Sequence, residues 1–222
     1  MIDEVVEIFN PKAITISATC PVGLIGDDLE AVVRSARERH PGINITCYSC
    51  EGYRGVSQSA GHHIANNGLT EHIIGEGDWE APPHPYTINL LGEYNIGGDG
   101  WEIKRIMNEI GYHVQAVMTG DGSYEELKNA HVAKLNLVQC HRSINYIADM
   151  LEVKYGTPWL KVNFIGLRAT AESLRNIALY FGERELIDRT EMFIQKEMAR
   201  VGPIIELYRK MLEGRTAFCF VG

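Results

Sequence analysis

The residues best suited to chemistry crowd into one stretch, Cys50-Glu51-Gly52-Tyr53-Arg54-Gly55-Val56-Ser57-Gln58-Ser59-Ala60-Gly61-His62-His63. A thiol, an amide and two imidazoles lie within these fourteen positions. Thiolate and imidazole bind soft metals, and imidazole also carries protons near neutral pH. The glycines at 52, 55 and 61 let backbone approach a bulky neighbour or take positive φ. If residues 57–67 are helical, Gln58 and His62 stand four apart on one face. His63 then points about 100° away, so only one of the two histidines can face a common site. The plainer alternative is a polar helix surface beside a small buried thiol.

Such groups need a frame to hold them. The chain alternates β-type and α-type runs, the pattern of an α/β fold with parallel sheets flanked by helices in Rossmann-like layered units. Residues 13–18 (AITISA) and 43–48 read as strands around a helix at 27–40, where Leu29, Val32, Val33 and Ala36 repeat at helical spacing. Asp27 with Glu30 reads as its capping pair. Residues 75–86 hold three prolines and two glycines with no apolar period, the signature of a linker. Beyond it, 87–91 (TINLL) is a strand and Gly92–Gly98 a turn. Asp99 reads as the cap of a helix carrying Ile103, Ile106, Met107 and Ile110. Strands follow at 112–118, 135–139 and 160–165. Ser123 opens a capping box with Glu126. Helices are marked by Ile144, Ile147 and Leu151, and by Leu174, Ile177 and Phe181. Residues 184–212 read as helical but broken near Gly202-Pro203, and 216–221 as a last strand. The expected domains are therefore 1–80, the end of a first α/β domain; 86–214, a second Rossmann-like domain; and 215–222, the first strand of a missing third.

Composition narrows the functional classes. The 222 residues carry a net charge of −8, with 45% hydrophobic and 23% charged residues. That balance describes a globular protein with a real core and argues against nucleic acid or an anionic membrane as partner. No apolar run approaches the ~20 residues of a membrane span, and no leader-like start suggests export. Five irregularly spaced cysteines make a poor disulfide framework and suit a reducing, cytoplasmic setting.

In doubly wound sheets, ligands sit outside the carboxyl ends of the strands. Cys20, Cys50 and Cys140 each follow a predicted strand, as does Tyr94 in its glycine turn. That turn is neither G-x-G-x-x-G nor G-x-x-x-x-G-K-[ST], so a nucleotide-binding reading is disfavoured. Cys47-x-x-Cys50 has no second pair to complete a structural zinc site, and its glycines disfavour a thioredoxin-type redox pair. The serines lack a G-x-S-x-G elbow. Single cysteines at several strand exits, with a histidine and a glutamine on a nearby helix face, suit an iron–sulfur centre. Arg142 would offset its negative charge.

Several blocks carry a resemblance to a known family. They are CPVGLIGDD from Cys20, CEGYRGVSQSAGHHIANN from Cys50, GEYNIGGD from Gly92 and LNLVQCHRSINY from Leu135, with KYGTPW, NFIG and ESLR further on. Together they resemble the α subunit of the nitrogenase molybdenum–iron protein, over essentially the whole chain. The resemblance implies an oxidoreductase that reduces dinitrogen to ammonia at an iron–molybdenum cofactor with homocitrate, fed by a P-cluster. It implies a nitrogenase β subunit and an ATP-dependent iron protein as partners.

Carried over by position, Cys20 matches a P-cluster ligand and Cys50 a cysteine near that cluster that does not ligate it. Cys140 matches the thiolate on the cofactor's terminal iron, and His62 the histidine beside the cofactor sulfurs that helps deliver protons. Gln58 matches the glutamine near homocitrate; Tyr94, Arg142 and Ser143 match pocket residues. The family's two other α-subunit P-cluster cysteines would lie upstream, and its molybdenum-binding histidine downstream. The resemblance thus implies a middle part of a subunit, inactive alone, holding neither metal centre stoichiometrically and open to self-association. The rival expectation is a non-catalytic homologue that binds or assembles an iron–sulfur-type cofactor.

Overall fold

The computed structural model describes residues 1–55 and 57–218, leaving aside the side chains of His141 and Arg142. The chain divides into two compact units, Met1–Val162 and Asn163–Gly222. The 75–86 stretch is internal to the first. It is held there by backbone bonds from Gly75 and Gly77 to the Lys128 carbonyl.

The first unit opens with helix α1 (Ile2–Phe9) and strand β1 (Ala13–Ser17). A short helix α2 (Cys20–Ile25), longer helix α3 (Leu29–Arg39) and strand β2 (Asn44–Tyr48) follow. β1 and β2 pair in parallel as a two-stranded sheet. Ile45 is buried there with Val33 and Ala36 of α3, and Ile14 and Ile16 pack against them. The cap of α3 is Asp28, one residue beyond the expected Asp27: its carboxylate accepts from the Ala31 amide at 2.8 Å. Asp28 directly precedes the first helical residue, so its oxygen reaches the third amide of the helix.

Helix α4 (Gln58–His72) runs five residues past the expected end at 67. The continuation includes Gly68, which is poor for helix propensity but necessary for packing. A Cβ there would stand 1.9 Å from Cε1 of Tyr48, so only glycine lets the helix pass over that ring.

The second sheet holds β3 (Thr87–Glu93), β4 (His113–Thr119), β5 (Leu135–Val138) and β6 (Trp159–Lys161). All pairs are parallel and the order is β4-β3-β5-β6. Every residue of β3 and β5 is buried, as expected for strands covered on both faces. Their apolar runs are interrupted by Asn89 and Asn136. These meet inside the sheet: Asn89 Nδ2 donates to Asn136 Oδ1 at 2.9 Å and to the Ala130 carbonyl at 2.8 Å.

Helix α5 (Asp99–Ile110) lies against β4 and buries Ile103, Met107 and Ile110. Helix α6 (Tyr124–Lys128) begins with the full capping box of Ser123 and Glu126. Helix α7 (His141–Tyr155) buries Ile144, Ile147, Ala148 and Leu151 against Leu91, Met118 and Val138, with Leu69 and Ile74 on the same cluster.

The second unit pairs helix α8 (Leu167–Phe181) with helix α9 (Arg184–Leu212). Ser173 ties α8 to the preceding segment, accepting from the Asn163 amide and donating to its carbonyl. α9 does not break at Pro203. The missing amide frees the Ala199 carbonyl, and Ala199 is exposed, so water can satisfy it. Residues 215–218 form no strand; the rest of the expected 216–221 strand lies outside the described residues. Among the described residues no helix is long and apolar enough to cross a membrane.

Candidate functional site

The order β4-β3-β5-β6 contains a reversal. From β3 the chain crosses outward to β4, then back past β3 to β5. The carboxyl ends of β3 and β5 therefore bound the switch point, where doubly wound sheets bind ligands. Tyr94 directly follows β3, and Cys140 follows β5 by two residues.

Cys140 stands at the N-cap of α7, where the Ser143 and Ile144 amides donate to its carbonyl at 3.3 and 3.1 Å. Gly92 lies against it from β3. A Cβ on Gly92 would meet the Cys140 nitrogen at 2.9 Å and its Cβ at 3.0 Å. Gly92 also has φ +81°, in the left-handed region that disfavours side chains. Helix α4 brings His62 to the same place. Ser57 caps that helix, accepting from the Ala60 amide at 3.2 Å, and His62 follows one turn later. The His62 and Tyr94 ring centroids are 5.3 Å apart, and the Tyr94 hydroxyl lies 3.2 Å from His62 Nδ1.

Burial pushes the Tyr94 phenol from its usual 10.0 up to about 12; the charges of the Cys140 thiolate and Glu93 add to the rise. The phenol therefore stays protonated across the physiological range, and its hydroxyl shares one hydrogen bond with His62 Nδ1. Tyr94 thus steadies the His62 ring through that nitrogen. Tyr94 and Cys140 thus follow the adjacent strands β3 and β5, with His62 of α4 against Tyr94.

The remaining expected residues fall around this group. Gln58 is exposed, one turn before His62 at the start of α4; Ser143 is half-buried in the first turn of α7. The side chain of Arg142 lies outside the described residues, as does Cys219. His63 turns away from His62 and stacks on Tyr146 with centroids 5.6 Å apart. Cys20 and Cys50 belong to the carboxyl edge of the smaller sheet, Cys20 exposed and Cys50 half-buried. Their segments are joined by Glu51, only 4% exposed. Its carboxylate fills the space over Gly23 of α2, where a Cβ would be 2.5 Å from Oε1.

Among the described residues no three His, Cys, Asp or Glu side chains come close enough to hold a metal ion. The donor set at the switch point suits a preformed metal–sulfur group held at one point: one soft thiolate ligand with an imidazole donor beside it. It does not suit a bare ion needing several protein ligands.

Residues 1–222 match the family described as nitrogenase component 1 type oxidoreductase. The chain belongs to that family. It is 56% identical to the nitrogenase molybdenum-iron protein alpha chain of Methanosarcina barkeri and 54% to that of Clostridium pasteurianum, across all of this chain and 41% of each relative. It is also 42% identical, over 99% of its length, to a nitrogenase iron-molybdenum cofactor biosynthesis protein NifE of Methanococcus maripaludis. The solved structure of nitrogenase Cp1 at pH 6.5 superposes with a TM-score of 0.91 at 54% identity, covering 96% of this chain and 41% of that one. The chain thus spans well under half the length of these nitrogenase alpha-chain relatives, and it shares the parallel α/β architecture of the solved structure.

Two residues of the GEYNIGGD block that sequence pattern gives no role, Glu93 and Asn95, flank Tyr94 at this site. Asn95 replaces the expected Asp99 as the side chain serving the start of α5, because the N-cap, Gly98, has no side chain to offer. Asn95 Oδ1 accepts from the Gly100 amide at 3.1 Å. An asparagine just past a strand, where the chain must take φ +52°, was the available signal.

Proposed function

We propose that this chain forms one wall of a metal-cofactor pocket in a nitrogenase component 1-type assembly that reduces dinitrogen. The observation that carries the reading is the convergence of Cys140, Tyr94 and His62 at the switch point of the larger sheet. Cys140 would hold an iron of an iron–molybdenum cofactor through its thiolate. The cofactor would supply the redox chemistry at which dinitrogen is reduced. His62 would help pass protons to the cofactor; Tyr94 would steady its ring through Nδ1. Gln58, on the homocitrate side, and Ser143 would line the approach, and Arg142 would offset the thiolate and cluster charge. Cys20 would contribute to a P-cluster at the smaller sheet. A β subunit would complete that cluster, and an iron protein would supply electrons from the cytoplasm.

A single thiolate cannot replace several ligands and a partner subunit. Purified anaerobically by itself, the chain is expected to carry iron and molybdenum well below one cofactor per chain. Added isolated cofactor should be retained through gel filtration in part by the wild type and not by Cys140→Ala. Stoichiometric metal in the chain as isolated, or equal retention by the variant, contradicts the reading. The likeness to a cofactor biosynthesis protein supports a second reading, a binding or assembly module. In that case bound cofactor passes to a cofactor-free component 1 and restores its activity, whereas a catalytic wall retains it.

A further inference from the structure

We propose that Glu93 and Asn95 form a latch that positions Tyr94, and through it His62, so that these two residues hold the imidazole in its working orientation. The proposal rests on the reading of His62, Tyr94 and Cys140 as one site, and assigns positioning roles to two residues outside that triad.

Tyr94 sits on a connection that leaves β3 and must turn at once into α5. Glu93 is 8% exposed, an unusual place for a carboxylate unless it is hydrogen-bonded. Its Oε1 accepts from the Asn95 amide at 2.7 Å, spanning Tyr94 like a staple. Asn95 has φ +52°, a conformation its short polar side chain tolerates better than most. Its Oδ1 reaches forward to the Gly100 amide in the first turn of α5. The latch therefore ties strand end to helix start with Tyr94 between them.

Two glycines close it from outside. A Cβ on Gly100 would be 3.2 Å from Asn95 Oδ1 and 3.3 Å from Glu93 Cγ. A Cβ on Gly120 would lie 2.1 Å from the Tyr94 carbonyl carbon, and the Gly120 amide donates to the Glu93 carbonyl at 2.9 Å. The backbone of Tyr94 is fixed on both sides, while its hydroxyl is left to meet His62 Nδ1. A loop held only by its own turn would let that hydroxyl drift out of hydrogen-bond range.

The test needs no cofactor, so its failure is distinct from a failure of the proposed function. Imidazole nitrogen shifts and Tyr94–His62 ring contacts are read by NMR on the full chain. Wild type should show one predominant tautomer with strong ring contacts. Glu93→Ala should lose those contacts and populate both tautomers. Glu93→Gln, which keeps an oxygen to accept the Asn95 amide, should restore them. Asn95→Gly, which keeps the backbone conformation but removes Oδ1, should weaken the contacts as well, and decides the matter if Glu93→Ala does not fold. A folded Glu93→Ala or Asn95→Gly chain with the wild-type tautomer and contacts overturns the proposal. So does a folded Glu93→Gln chain that behaves like the alanine variant.

Discussion

Gly92→Ala is expected to destabilise the chain by about 2–5 kcal/mol and to displace Cys140. Two costs combine. The backbone at φ +81° is worth about 1–2 kcal/mol against any residue with a Cβ. The added methyl would meet the Cys140 nitrogen at 2.9 Å and Ile144 Cγ1 at 3.0 Å. Overpacking of that kind costs about 1–3 kcal/mol. Neither neighbour can step aside freely: the nitrogen is backbone at the start of α7, and Ile144 is fully buried in the main core. The start of α7 must shift away from β3, carrying the thiol with it. Denaturant unfolding measures the first effect, and the alkylation rate of Cys140 measures the second. A variant as stable as wild type with an unchanged alkylation rate contradicts the close packing of β3 on Cys140.

Gly120→Ala should cost at least as much, about 3 kcal/mol or more by the same overpacking argument. Its Cβ would fall 2.1 Å from the Tyr94 carbonyl carbon and 2.5 Å from the Asn95 nitrogen. These are backbone atoms of a loop already tied by Glu93 and Asn95, so no side-chain rotation relieves the clash. The loop must move as a body, and the Tyr94 hydroxyl should leave His62. Loss of the Tyr94–His62 ring contacts together with a large drop in unfolding free energy is the expected pair of results. A change within about 0.5 kcal/mol, the range of an ordinary surface substitution, would contradict it.

These glycines show where the sequence is readable and where it is not. TINLL and LNLV are legible as buried strands because continuous apolar runs reflect a sheet covered on both faces. The Ser123 box is legible because a cap is settled within four residues. The length of α4 was not, since the reason for Gly68 is the ring of Tyr48, twenty residues earlier in the chain. Nor was α2, whose six residues are too few for a periodic signal. The choice of Asp28 over Asp27 depends on where the first helical turn begins, which pattern fixes only to within a residue or two; Asn95 serves α5 from four residues before Asp99, a reach outside any local cap pattern. At the site, residue types and strand exits pointed to Cys140, Tyr94 and His62. The order of strands, which brings β3 beside β5, cannot be read from local pattern, because it depends on which way each crossover turns. Glu93 remained hidden for a similar reason: a carboxylate in a turn reads as solvated until its amide partner is known.

If the switch point between β3 and β5 forms one hollow that accepts a metal–sulfur cofactor, Cys140 is its thiol. The most direct measurement is the anaerobic alkylation rate of each cysteine, by mass spectrometry, with and without isolated iron–molybdenum cofactor. Slowing of Cys140 by the cofactor while exposed Cys20 reacts as before is the predicted result. Equal rates at Cys140 in both conditions, in a chain shown to be folded, would contradict it.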